Sequence, residues 1–124
     1  MYQFAITTDI CEKRHVSTSD EIPQELQRLQ DEISSFVIIE VSPAIGGVNF
    51  IQVQNLRYKK GLFSREFVDL YGMELNISEA DGSVKQYSSA GDFQDVKDIF
   101  VAFIDRNKTP NYATWTDITE EVVR

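Results

Sequence analysis

Nucleophilic and acid–base chemistry needs cysteine, histidine or carboxylates held within reach of one another, and this chain supplies them unevenly. Its only cysteine and its only histidine fall in one short run, Cys11-Glu12-Lys13-Arg14-His15. Neighbouring cations favour a thiolate, and a histidine can serve as its base. The run is polar throughout, however, and reads as part of an irregular exposed loop over residues 9–20. A single histidine excludes a His-rich zinc site and paired-histidine catalysis. Glu66, Asp69 and Glu74 are close enough in sequence to meet on a sheet, and paired acids across a cleft cleave glycosides. Alternation of apolar and polar residues explains most of these positions as a solvated sheet face, with Glu66 and Glu74 on the polar parity and Asp69 on the apolar one. No GxxxxGK run is present, and Gly46-Gly47 lacks the strand-to-helix setting of a phosphate loop, so these glycines read as turn residues. Arg57-Tyr58-Lys59-Lys60 mixes cations with an aromatic ring, as single-strand binders do, but fits a solvated hairpin loop. The residues therefore nominate no catalytic group, no metal ligand and no cofactor.

Charge carries more information. Twenty acidic against twelve basic residues give a formal charge of -8, which disfavours a phosphate backbone and suits a basic protein partner. Asp92, Asp95, Asp98 and Asp105 gather in one stretch with helical periodicity, on the side opposite its apolar residues. Such a stripe would accelerate encounter with a basic partner and select for it. A second reading is a small-ligand or enzyme pocket between helix and sheet, lined by Tyr71, Tyr87 and Trp115. A third is a structural or homodimeric module, for which an exposed aromatic patch would argue.

The elements that must position these residues are marked by periodicity. Residues 1–7 alternate as a first strand. Ser19 or Asp20, Pro23 and Glu25 announce a helix start, and Ile22, Leu26, Leu29 and Ile33 give that helix one narrow apolar stripe. Residues 36–41, FVIIEV, read as a central strand covered on both faces. Pro43 and Gly46-Gly47 turn the chain into a partner strand over residues 48–54. From Phe67 through Tyr71, Met73, Leu75 and Ile77 the apolar residues share one parity, and Asp81-Gly82 signals a hairpin to a returning strand over residues 83–87. Asp92 caps a last helix whose Phe93, Val96, Ile99, Phe100 and Phe103 share an arc, with Arg106 and Lys108 at its end and Pro110 beyond.

At 124 residues the chain suits one domain, residues 1–124, with one core. It has no run of roughly 18 apolar residues and no signal-peptide pattern, so no membrane is expected and a cytoplasmic location is. The lone Cys11 agrees with a reducing compartment. Short connections between strands require antiparallel pairing. The expected fold is α+β: an antiparallel sheet of about four to five strands with two main helices packed on one face.

The apolar strand at residues 36–41, the strand Asn49-Phe50-Ile51-Gln52-Val53, the strand Tyr71-Gly72-Met73-Glu74-Leu75, the Asp81-Gly82 hairpin with Tyr87 beyond it, the helix with Ile99-Phe100 and Phe103, and the short loop to Trp115 follow one another in a distinctive order. Over residues 36–118 that order resembles small bacterial proteins of the polymorphic-toxin immunity type. The resemblance implies a non-enzymatic protein that neutralises a toxin by binding it. It transfers no residue by position.

Overall fold

The computed structural model describes residues 2–56, 58–59, 67–68 and 70–122. The strands are β1 (Gln3–Thr8), β2 (Cys11–Val16), β3 (Phe36–Ile45), β4 (Val48–Asn55), β5 (Tyr58–Lys59), β6 (Phe67–Val68), β7 (Tyr71–Ser78), β8 (Val84–Gly91) and β9 (Thr116–Asp117). The helices are α1 (Ile22–Gln30), α2 (Phe93–Arg106) and the one-turn α3 (Thr119–Val122), with a 3-10 turn at Ser19–Glu21.

Among the described residues, seven strands form one sheet in the order β2-β1-β3-β4-β7-β8-β9, and β5 and β6 pair separately. Every pairing is antiparallel. The fold is α+β as expected, but the sheet is wider than four to five strands. Both additions are at its edges. Residues 11–16 are not an irregular loop: they form edge strand β2, in which Val16 alone is buried, so no apolar alternation marked it. At the far edge, β9 is only two residues long.

One face of the sheet is apolar. Phe4 and Ile6 of β1, Val37, Ile39 and Val41 of β3, Ile51 and Val53 of β4, and Met73 and Leu75 of β7 are buried. The register sets Ile6 opposite Ile39, Ile39 opposite Ile51 and Ile51 opposite Leu75. This continuous row is the centre of the core, where trimming one isoleucine to alanine costs about 2–5 kcal/mol. Both main helices cover this face. Ile22, Leu26 and Leu29 of α1 and Val96, Phe100 and Phe103 of α2 join the same cluster, and the Phe103 ring meets Phe4 edge-on, with centroids 5.7 Å apart.

The opposite face is on the side away from α1 and α2. Phe36, Ile38 and Glu40 are half-buried there while their neighbours in β3 are fully buried. The expectation that residues 36–41 are covered on both faces is therefore corrected: the strand is central, and its outward residues Phe36, Ile38 and Glu40 are half-buried where its inward residues are fully buried.

The helix ends follow local chemistry. α1 stops at Gln30, before Ile33. Glu32 adopts φ 61°, its N–H donates to the Leu29 carbonyl, and the Ile33 N–H donates to the Arg28 carbonyl. This double closure is a Schellman end, and it leaves Ile33 59% exposed, outside the stripe its spacing suggested. α2 starts with a reciprocal cap: the Asp92 side chain accepts from the Asp95 N–H at 2.8 Å, and the Asp95 side chain accepts from the Asp92 N–H at 3.1 Å. It ends at Asn107, whose φ of 51° is the left-handed conformation that closes helices. Gly46 and Gly47 join β3 to β4 with φ 54° and 85°, confirming them as turn residues.

Candidate functional site

The four aspartates of the acidic stripe all stand on or beside α2, and all are exposed. Two are engaged in the reciprocal cap that starts the helix. Asp98 accepts from the Gln94 amide, one turn back, at 2.8 Å. Asp105 is tied to the entry of α1, where its carboxylate accepts from the N–H of Ser19 at 2.9 Å and from the Ser19 hydroxyl. Their roles therefore differ: Asp92 and Asp95 shape the helix start, Asp105 fastens two elements together, and Asp98 projects from the helix surface.

The α2 aspartates differ from Glu21 and Glu25, the acids that carry the ion pairs of the described residues. Among the described residues, the ion pairs join Arg14 to Glu21 and Glu25, and Arg28 to Glu25. None involves an aspartate of α2. The negative charge of Asp92, Asp95 and Asp98 thus faces solvent with no described side-chain cation paired to it, where it contributes to the field met by an approaching molecule.

The Arg14 network is a feature that periodicity missed. Arg14, opposite Ile6 in β2, points to the helix side of the sheet. Glu25 of α1 is only 2% exposed and accepts from Arg14 at 3.2 Å and Arg28 at 2.9 Å through the same oxygen. The hydrogen bond from Arg14 to Glu21, followed by its contact with Cys11, raises the Arg14 pKa further above its ordinary value. Glu25 thus has a second role beyond favouring the helix N-terminus: it anchors edge strand β2 to α1. The signal available in sequence was a carboxylate at a position between Ile22 and Leu29 that also faces inward.

Cys11 and His15 do not form a catalytic pair. Cys11 pairs with Thr8 and packs against the core on the helix side, where its Sγ is 3.5 Å from the Thr8 hydroxyl. His15 pairs with Ala5, whose neighbours Phe4 and Ile6 are buried on the helix side, so it stands on the opposite face of the sheet.

The residues proposed for a helix–sheet pocket are not gathered into one. Tyr71 is 1% exposed and its ring meets Phe93 edge-on at 6.1 Å, so it is a core residue. Tyr87 pairs with Asp117 on the far side of β8, and its backbone partner in β7 is Leu75, four residues from Tyr71. Its ring packs on Tyr112 at 5.3 Å. Trp115 is half-buried against the edge of the core, just before β9. It closes the tail together with Ile118, whose N–H donates to the Gln86 carbonyl at 2.8 Å.

Glu74 lies on the outward sheet face, where its carboxylate accepts from the Gln86 amide at 3.4 Å. Its suggested companions Glu66 and Asp69 lie outside the described residues, as do the side chains of Arg57-Tyr58-Lys59-Lys60. Among the described residues, no group of three or more His, Cys, Asp or Glu side chains is placed to hold a metal ion, and no helix is long and apolar enough to cross a membrane.

A cleft of about 580 Å³ lies elsewhere, between the start of β1, the end of β2 and the end of α2, with Tyr2, His15, Ser17, Ile104 and Asn107 among its walls. No family model, curated protein or solved structure matches the chain.

Proposed function

We propose that this chain is a non-enzymatic binding protein of the toxin-neutralising immunity type, which acts in the cytoplasm by occluding a basic protein partner. The observation that carries this reading is the unpaired negative charge on the outer side of α2. Asp92, Asp95 and Asp98 are exposed, within two turns of one another and in no ion pair with a described side chain, on a helix whose other side is locked into the core by Val96, Phe100 and Phe103. A rigid helix that presents charge costs little ordering on association, and complementary charge raises the encounter rate. The chain's overall charge of -8 acts in the same direction at longer range.

Recognition is assigned chiefly to Asp98, because Asp92 and Asp95 share their charge with the helix cap and Asp105 is directed towards Ser19. The pocket reading is less favoured, since Tyr71 is sealed in the core and apart from Tyr87.

The test is to express the product of the neighbouring reading frame and titrate it with the purified chain by calorimetry. A complex whose affinity falls with added salt, and about tenfold with Asp98→Lys, fits the proposal. If the two products form no complex, or if Asp98→Lys and salt leave affinity unchanged, the proposal is wrong.

A further inference from the structure

The outward face of the sheet holds a valley that none of its own side chains fills. His15 of β2 lies opposite Ala5 of β1, and Ala5 lies opposite Glu40 of β3. Phe4, Val16 and Val41, one residue further along each strand, are buried on the helix side, so these three side chains share the other face. Strands lie about 4.8 Å apart, which puts the imidazole and the carboxylate on stems two strand spacings apart with only a methyl group between them. A groove of about 210 Å³ runs over that methyl, lined by Gln3, Lys13, His15, Glu40 and Ser42 together with Ala5.

Lys13 reaches the groove through an irregularity in β2. The β1–β2 register shifts between Ile6 and Thr8, Lys13 takes φ 47°, and its N–H donates to the Thr7 hydroxyl oxygen at 3.1 Å. A lysine in this left-handed conformation is strained, and a bulge re-aims the side chains beside it. The result is an ammonium group and an imidazole on one wall, facing a carboxylate on the other. Among the described residues, none of these three side chains is engaged in an ion pair.

The geometry points to a binding site for a free α-amino acid, with the ligand carboxylate against Lys13 and His15 and its ammonium against Glu40. The charges of Lys13 and Glu40 cancel, so a ligand of no net charge fits. A simple anion would bring uncompensated charge up to Glu40, and a simple cation would do so at Lys13, whereas a zwitterion answers both walls. The groove is smaller than the roughly 300 Å³ at which drug-sized pockets begin, which selects a ligand of amino-acid size. Gln3 and Ser42 supply an amide and a hydroxyl for a short polar side chain. This site is on the opposite side of the sheet from α2 and is independent of the acidic surface.

The experiment is a ¹H–¹⁵N NMR titration of the whole chain with L-glutamine and L-serine, beside N-acetyl-L-glutamine and L-glutaminamide, each of which lacks one charge. The expected result is saturable shifts at Ala5, Lys13, His15 and Glu40, with binding about tenfold weaker for either blocked compound. Glu40→Gln should weaken L-glutamine about tenfold and leave N-acetyl-L-glutamine unchanged. Ala5→Leu, which fills the valley floor, should abolish the shifts, with the same spectra reporting whether it folds. The proposal is overturned if neither amino acid saturates by about 10 mM, if the blocked compounds bind equally well, or if Glu40→Gln has no effect on L-glutamine.

Discussion

The carboxylate of Asp105, near the end of α2, accepts hydrogen bonds from the N–H and hydroxyl of Ser19, which lies 86 residues earlier at the entry to α1. This contact fixes the 3-10 turn before α1 against the last turns of α2, and Ser19 is buried beneath it. Asp105→Ala leaves two buried donors without their acceptor, which costs about 1–3 kcal/mol. Urea denaturation should show a lower midpoint at an unchanged slope, while affinity for a basic partner should change much less than with Asp98→Lys. Equal losses of affinity in the two variants would place Asp105 in the recognition surface after all.

The other aspartates can be ranked by the same reasoning. Asp92→Ala removes the N-cap of α2 and should cost about 1 kcal/mol. Gly91→Ala should act through Asp95: a methyl group at residue 91 would come within 2.9 Å of the Asp95 Cβ and carboxylate, pushing that side chain out of its hydrogen bond to the Asp92 N–H. Asp98→Lys, at an exposed position, should change stability by no more than about 0.5 kcal/mol. Thermal denaturation of the three variants should place Asp98→Lys nearest the parent. A large drop for Asp98→Lys would mean that Asp98 is a structural residue and a poor probe of recognition.

Periodicity revealed the centre of this fold and missed its margins. Tyr71, Met73, Leu75 and Ile77 announced β7 because its two faces differ so strongly in polarity, and Asp92 announced α2 because a cap has a local sequence requirement. β2 was hidden because five of its six residues are not buried; it is held by backbone pairing with β1 and by Arg14, whose partners Glu21 and Glu25 are not adjacent in sequence. The stop of α1 was hidden in a similar way, since Glu32 rather than glycine adopts the left-handed conformation. At the candidate site, the spacing of the aspartates correctly placed them along α2. It could not reveal that Asp105 is held by Ser19, or that Ala5 leaves a gap between His15 and Glu40, because both depend on register between distant segments.

The Arg14–Glu25–Arg28 network predicts a cost that appears only when both cations are lost. Glu25 is buried, and each arginine donates to the same one of its oxygens. With either arginine present, the carboxylate retains a charged donor. In Arg14→Ala/Arg28→Ala it is left buried and unpaired, a situation that costs about 3–5 kcal/mol. Chemical denaturation of the two single variants and the double variant closes a cycle, and the double loss should exceed the sum of the singles. Additive losses would show that solvent already supports the Glu25 charge.

Three exposed carboxylates provide a prediction for acid. Asp9, Asp81 and Asp117 have pKa values held below the ordinary 3.8, mainly by hydrogen bonds from Ser35, Ser83 and Thr119 respectively. At Asp81 the same oxygen accepts from the Ser83 N–H at 2.9 Å and from its hydroxyl at 2.6 Å, so the turn after β7 favours the ionised form. Because the folded-state pKa is depressed, this stabilisation is fully present above 3.8 and is lost as pH falls through the lower folded value. Ser83→Ala removes the hydroxyl donor but keeps the backbone one. The Asp81 midpoint, followed by carboxylate ¹³C shifts, should therefore move up towards 3.8 without reaching it, while those of Asp9 and Asp117 stay in place. An Asp81 midpoint indifferent to Ser83→Ala would mean that the backbone N–H alone sets the shift.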